Sequence, residues 1–191
     1  MKKVFLAFSA IAIAAVVQAQ IGVKGGVNLS SWRGDDAEGT KAKVGFYGGV
    51  FYNFKIQKSW SMQPELVFSA EGAQSETNSD FKFKWNTNFL NFTPLLRYNT
   101  SSGFFIGTAP QLGFLLTAKA TDGNNNVDVK DSFKGINFSW AVAAGYEFKN
   151  GFGFNARYNF GLSNISDISG KNTKTGVFQF GLRYAFNMDK K

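Results

Sequence analysis

The feature that most restricts this chain is a period-two alternation whose two phases differ in size as well as polarity. Within residues 136–148 the even positions are Ile136, Phe138, Trp140, Val142, Ala144, Tyr146 and Phe148. The odd positions are Asn137, Ser139, Ala141, Ala143, Gly145 and Glu147. Residues 152–162 repeat the pattern, with Phe152, Phe154, Ala156, Tyr158, Phe160 and Leu162 set against Gly153, Asn155, Arg157, Asn159 and Gly161. Successive side chains of a strand point to opposite faces, so this is a strand pattern. Six further segments carry it: 21–29, 43–54, 60–70, 88–98, 104–117 and 175–186. No stretch after residue 20 sustains the 3.6-residue period of a helix. Eight strands follow, long enough for the roughly 9–11 residues of a tilted membrane strand.

The connections alternate long and short along the chain: 30–42, 55–59, 71–87, 99–103, 118–135, 149–151 and 163–174. An up-and-down antiparallel barrel with tight turns on one rim and long loops on the other produces that order. The turn at Lys149-Asn150-Gly151 is predicted to hold three residues, with Gly151 in the left-handed conformation. A two-residue Asn-Gly turn would put Lys149 and Phe152 on one face and break the apolar phase.

The bulky phase must face outward. An eight-stranded barrel has a narrow interior, which suits the small and polar set of Ala143, Gly153, Asn155, Gln179, Gly161 and Gly181 better than rings of Phe and Trp. A soluble lipocalin-like barrel would need the reverse. Turned to lipid, the apolar phase is fully used, and closure leaves no unpaired edge in hydrocarbon. The chain is therefore expected to be an all-β, eight-stranded transmembrane barrel. The inward phase then holds Glu65, Arg97, Glu147, Arg157 and Arg183, expected to form a charge network that plugs the lumen, because an isolated charge in a low-dielectric interior is costly. Trp60, Tyr98, Tyr146 and Tyr184 lie on the outward phase near the short turns, as an interfacial girdle on the periplasmic side would. All three prolines, Pro64, Pro94 and Pro110, also lie on that phase, in consecutive strands. Proline cannot donate to a ladder, and a closed barrel has no edge to hide it. A row of prolines with missing ladder bonds is predicted, serving either as a curvature device or as a docking wall.

Lys2 and Lys3, the apolar run 4–17 and Val17-Gln18-Ala19 read as a signal peptide cut between Ala19 and Gln20. The run is shorter than the roughly 20 residues of a spanning helix. The domain division is thus 1–19 for the signal and 20–191 for the barrel. The basic excess sits at the short turns and tail (Lys55, Lys58, Lys149, Lys190 and Lys191 against Asp189) and in the strands, while the long connections are nearly neutral. That placement fits anionic lipid head groups and not nucleic acid. With no Cys and no His, disulfides, thiolate metal sites and His-dependent nucleophile systems are excluded. Asp35/Asp36 or Glu65/Glu147 could act as acid–base pairs only with strongly shifted pKa values. Asp122, Asp128 and Asp131 lack the spacing of a calcium loop. No cofactor and no enzymatic activity are expected.

Several motifs resemble the small PorT-like outer-membrane β-barrel proteins of Bacteroidota. They are Gly22-Val23-Lys24-Gly25-Gly26-Val27-Asn28, Gln63-Pro64-Glu65-Leu66, LNFTPLL at 90–96, FFIGTAPQLGFLL at 104–116, ARYNFGLSNI at 156–165 and Gly181-Leu182-Arg183-Tyr184. The resemblance implies a barrel in the bacterial outer membrane, and one member of that family is linked to protein secretion. The expected function is a structural, surface-recognition or docking barrel, with long loops extracellular and both mature ends periplasmic. The partners to expect are outer-membrane lipid and, for a docking role, another envelope or secretion component. An accessory barrel of a secretion system, a small-solute porin and an outer-membrane enzyme are the alternatives.

Overall fold

Each long segment of alternating sequence buries its small or polar phase and hydrogen-bonds to both flanking strands, and the ring closes. The structure, a computed structural model, describes residues 20–34, 37, 39–75, 83–122 and 125–186. The expected signal peptide, with Ala19, and the tail 187–191 lie outside the described residues. The strands are β1 (Gln20–Arg33), β2 (Thr40–Lys55), β3 (Trp60–Ser75), β4 (Lys84–Asn99), β5 (Phe104–Thr121), β6 (Asn126–Asp128), β7 (Ile136–Glu147), β8 (Phe152–Gly161) and β9 (Lys174–Ala185). Leaving aside the short β6, eight strands form an antiparallel barrel in sequence order, closed by β1 against β9. The three-residue β6 extends the sheet beside the far end of β5, where β7 does not reach.

The strands run further toward the long-loop rim than the alternation suggests. β1 continues to Arg33, β2 begins at Thr40, β3 reaches Ser75, β4 begins at Lys84 and β5 extends to Thr121. Glu71, read from the sequence as a loop acid, is therefore a strand residue, 3% exposed. Beyond the hydrocarbon zone the ladder persists while the outward positions no longer need apolar side chains, so the period-two signal fades before the strand does. Register shifts between β2 and β3 near Ala42/Tyr47 and between β4 and β5 at Asn88/Phe89 add to the loss of phase.

The β7–β8 turn holds three residues. Gly151 has φ 87°, Phe148 N–H donates to the Phe152 carbonyl at 2.7 Å, and Gly151 N–H donates back to the Phe148 carbonyl at 3.0 Å.

Large apolar side chains stand on the outer wall: Val44 is 69% exposed and Ile106 60%, whereas Asn28, Ser69 and Thr93 are fully buried in the interior. The interior is less uniformly small than the sequence implies. Tyr47, Phe51, Val67, Phe89, Leu95 and Phe105 also lie buried there. Glycine on a facing strand makes the room: a Cβ at Gly22 would strike the Phe51 ring, and one at Gly145 the Phe105 ring. Side chains thus occupy the barrel interior, as expected for eight strands.

Candidate functional site

The inward phase of β3 carries Gln63 and Glu65, and the facing walls bring cations to them. Glu65 receives Arg157 Nη2 at 2.6 Å and Lys24 Nζ at 3.0 Å on one oxygen, and Gln63 Nε2 at 2.6 Å on the other. The Gln63 Oε1 accepts from Arg183 Nη2 at 2.9 Å and from Arg97 Nη1. Glu147, nearer the short turns, receives Arg183 Nη2 at 3.1 Å and Arg97 Nη2 at 3.4 Å. The Arg97 guanidinium lies 3.9 Å from the centroid of the Phe105 ring and that of Arg183 4.3 Å from that of Phe51. Both are cation–π contacts, which are strongest where the guanidinium is desolvated. Each of the three sequence-predicted arginines therefore reaches one of the two predicted carboxylates.

Lys24 and Gln63 complete the network, and sequence reasoning missed them. Both lie on the inward phase, but only the register places Lys24 at the depth of Glu65. Gln63 carries no charge to mark it. Further toward the long loops, Gln179 Nε2 donates to Asn28 Oδ1 at 3.0 Å, Asn28 Nδ2 to Ser69 Oγ at 2.9 Å, and Ser69 Oγ to Glu71 Oε1 at 2.7 Å. These residues come from β1, β3 and β9, so the polar layers cross-brace the wall from inside.

The long-loop end carries a second cluster of side chains. Trp32 packs against Trp85 at 5.4 Å and Phe133 at 5.6 Å between ring centroids. Phe89, Leu115 and Ala118 form a buried cluster beneath, with Val129 and Phe133 against it. The loops above are tied together. Lys134 N–H donates to the Ile165 carbonyl at 2.8 Å, Asp167 N–H to the Ser132 carbonyl at 3.0 Å, and Phe133 forms a β-bridge with Ser166. Asp122 and Asp128 each accept a backbone N–H of their own turn, from Asn125 at 2.8 Å and Lys130 at 2.9 Å. Neither carboxylate points to a shared centre with Asp131.

On the outer wall Pro64 lies directly opposite Pro94. Pairing of β4 with β5 stops at Phe92↔Leu112 and resumes at Leu96↔Thr108, so Pro94 and Pro110 face each other across the interruption. Pairing between β2 and β3 likewise skips from Phe51↔Glu65 to Phe54↔Met62, past Pro64. Between β3 and β4, and between β5 and β7, it runs unbroken through the prolines. Ladder bonds alternate along an antiparallel pair. The Pro64/Pro94 pair occupies a non-hydrogen-bonded position, and the missing donors all face the interrupted side. Inside the barrel Thr93 Oγ1 donates to Gln111 Oε1 at 3.0 Å across the same gap.

At the short-turn rim Trp60 packs edge-on to Tyr98 at 5.2 Å, Tyr146 meets Phe104 at 5.4 Å and Tyr184 meets Phe186 at 5.3 Å. Tyr52 and Phe54, at 5.9 Å, extend this aromatic set across β2.

Comparisons with known proteins agree with this architecture. Neisserial surface protein A superposes with a TM-score of 0.55 at 13% identity, covering 88% of this chain and 99% of that one. Ail, the attachment invasion locus protein of Yersinia pestis, gives 0.52 at 16% identity over 88% and 99%. Ail in complex with the heparin analogue sucrose octasulfate gives 0.51 at 14% identity over the same shares. At these identities the likeness shows the fold. No curated protein sequence matches the chain. The profile of the family described as "Outer membrane protein beta-barrel domain" matches residues 17–167. An alternating sequence, a closed eight-stranded ring with its greasy face outward and this match together place the chain in the outer-membrane protein β-barrel domain family, as a barrel of the outer membrane.

Proposed function

We propose that this protein is a non-enzymatic surface barrel of PorT-like type, with a plugged lumen and long loops that act in recognition or docking on the cell exterior. The carrying observation is the double closure of the barrel. A charge network crosses the short-turn half, where Glu65, Glu147 and Gln63 bind cations from four strands, and an aromatic cap seals the long-loop half. With the interior occupied, solute passage is disfavoured, and the loop face offers the remaining surface for interaction. The basic short turns fit the periplasmic leaflet, and this supports an orientation with both mature ends there. The ordered motifs shared with PorT-like proteins support this assignment.

The chain has no cysteine, so single-cysteine labelling tests the orientation cleanly. In intact cells a membrane-impermeant maleimide should label Ser169→Cys on the β8–β9 loop and leave Ser101→Cys in the β4–β5 turn unlabelled; the opposite pattern reverses the assignment. In planar bilayers the purified barrel should show no stable, large conductance steps, and their appearance would overturn the plugged lumen.

A docking wall is the second reading, favoured by the interrupted ladder beside Pro64, Pro94 and Pro110. A secretion component is the partner it would suit. Co-purification from detergent-solubilised outer membranes should then be lost when all three prolines become Thr and the barrel still assembles. Unchanged recovery would leave the prolines a curvature role alone.

A further inference from the structure

The lumen network is unbalanced. In the short-turn half four cations, Lys24, Arg97, Arg157 and Arg183, share two carboxylates, Glu65 and Glu147. The third interior carboxylate, Glu71, belongs to the polar layer with Ser69, and the half-buried Lys43 reaches its backbone carbonyl at 3.2 Å. It does not serve the lower group. The Nε–H groups of Arg97, Arg157 and Arg183 are buried without a hydrogen-bond partner among the described residues. A surplus of two positive charges in a closed, side-chain-filled volume is strongly unfavourable unless an anion comes close.

The place where an anion can come close is the short-turn mouth. A cavity of about 640 Å³ opens there between the three tight turns. Its charged lining is Lys55, Lys58, Lys149 and Arg97 against Glu147. Arg97 is 2% exposed, so it joins this cavity to the buried network, and Glu147 is already shared with Arg183. Asn99, Ser101 and Ser102 add neutral donors to the lining.

From this juxtaposition we propose that the short-turn mouth binds a phosphate-like dianionic group, which offsets the cation surplus of the lumen. A single carboxylate would leave one charge uncompensated. A tetrahedral dianion matches the surplus and presents several oxygens to convergent ammonium and guanidinium donors. The group can be free inorganic phosphate or the terminal phosphomonoester of a lipid head group, as in phosphatidic acid, seated at the rim. The site requires only the cavity and the network, so it stands or falls separately from the loop-recognition role, which labelling and conductance report.

Two arms test it with the full barrel. In phosphate-free, non-ionic detergent, equilibrium dialysis with radiolabelled inorganic phosphate should give saturable binding of one ion per barrel. In nanodiscs, phosphatidic acid, whose phosphomonoester can carry two negative charges, should compete for that site or raise the thermal midpoint relative to phosphatidylcholine. Binding in the first arm alone identifies a free anion, and in the second alone a head group; both outcomes support the site. The triple variant Lys55→Ser/Lys58→Ser/Lys149→Ser changes only exposed residues, Lys55 at the end of β2 and the other two in turns, so the fold should persist. It should weaken binding by about tenfold or more, and Arg97→Gln should do the same if it folds. Absence of saturable binding in both arms, or binding unchanged in the triple variant, overturns the proposal.

Discussion

At the scale of single residues, Glu65 is the most consequential side chain in the barrel. Its carboxylate has no exposed surface and holds Lys24 and Arg157. Glu65→Gln would leave two buried cations without their counter-charge, and removing one partner from such a set costs about 3–5 kcal/mol. Glu147→Gln should cost less, because the Glu147 side chain is 14% exposed at the mouth and water can take part of its role. Urea unfolding in detergent, followed by the gel-mobility difference between folded and unfolded barrel, should rank the midpoints wild type, Glu147→Gln, Glu65→Gln in descending order. The pairing of Gly22 with Phe51 gives a second test. Gly22→Val should block folding, because its Cβ would strike both the Phe51 ring and the Tyr184 carbonyl oxygen, and Phe51→Ala in the same chain should restore only part of the folded band, since the backbone collision remains. Glu65, Arg97, Glu147, Arg157 and Arg183 could be found in the sequence as inward-facing charges. Lys24 and Gln63 share that phase, but their places in the network could not be read from it, since phase fixes the face a side chain occupies and not which residue of a distant strand stands at its depth.

At the scale of strands, the prolines show how a barrel tolerates residues that ladders exclude. Pro94 and Pro110 face each other where β4 and β5 lose pairing, so two donors are missing from one site and the carbonyls opposite them lack partners on that side. Pro94→Thr/Pro110→Thr supplies both donors at a position where β-branched residues fit the sheet. The double variant should gain about 1–2 kcal/mol from two ladder bonds. Amide exchange at residues 94 and 110 should be slow, as for neighbouring strand amides; fast exchange there would show that the gap is held open by curvature and not by the missing donors. Strand identity was legible wherever lipid imposed apolar alternation. It was not legible near the long-loop rim, where Glu71 passed for a loop acid, because water outside the membrane accepts either polarity on the outer face.

At the scale of the whole molecule, the charge network occupies the short-turn half of the barrel and the aromatic cap the long-loop half, beneath the loops. The tie between the β5–β7 and β8–β9 loops rests on backbone bonds at Ser132, Lys134, Ile165 and Asp167 and on the aromatic cap below. Trp32→Ala/Phe133→Ala should therefore speed tryptic cleavage at Lys171 several-fold while the barrel keeps its folded mobility; equal cleavage rates would detach the loops from the cap. The sequence by itself determined that eight strands alternate, that their large apolar face turns to lipid, and that long and short connections occupy opposite rims. Those properties are local, because each follows from side-chain period and turn chemistry within about a dozen residues. Tertiary structure alone decided the partners inside: two cations on each carboxylate, the rings that fit against Gly22 and Gly145, and the aromatic cap. Each of these depends on the stagger between strands, and register is a property of pairs of segments far apart in the chain.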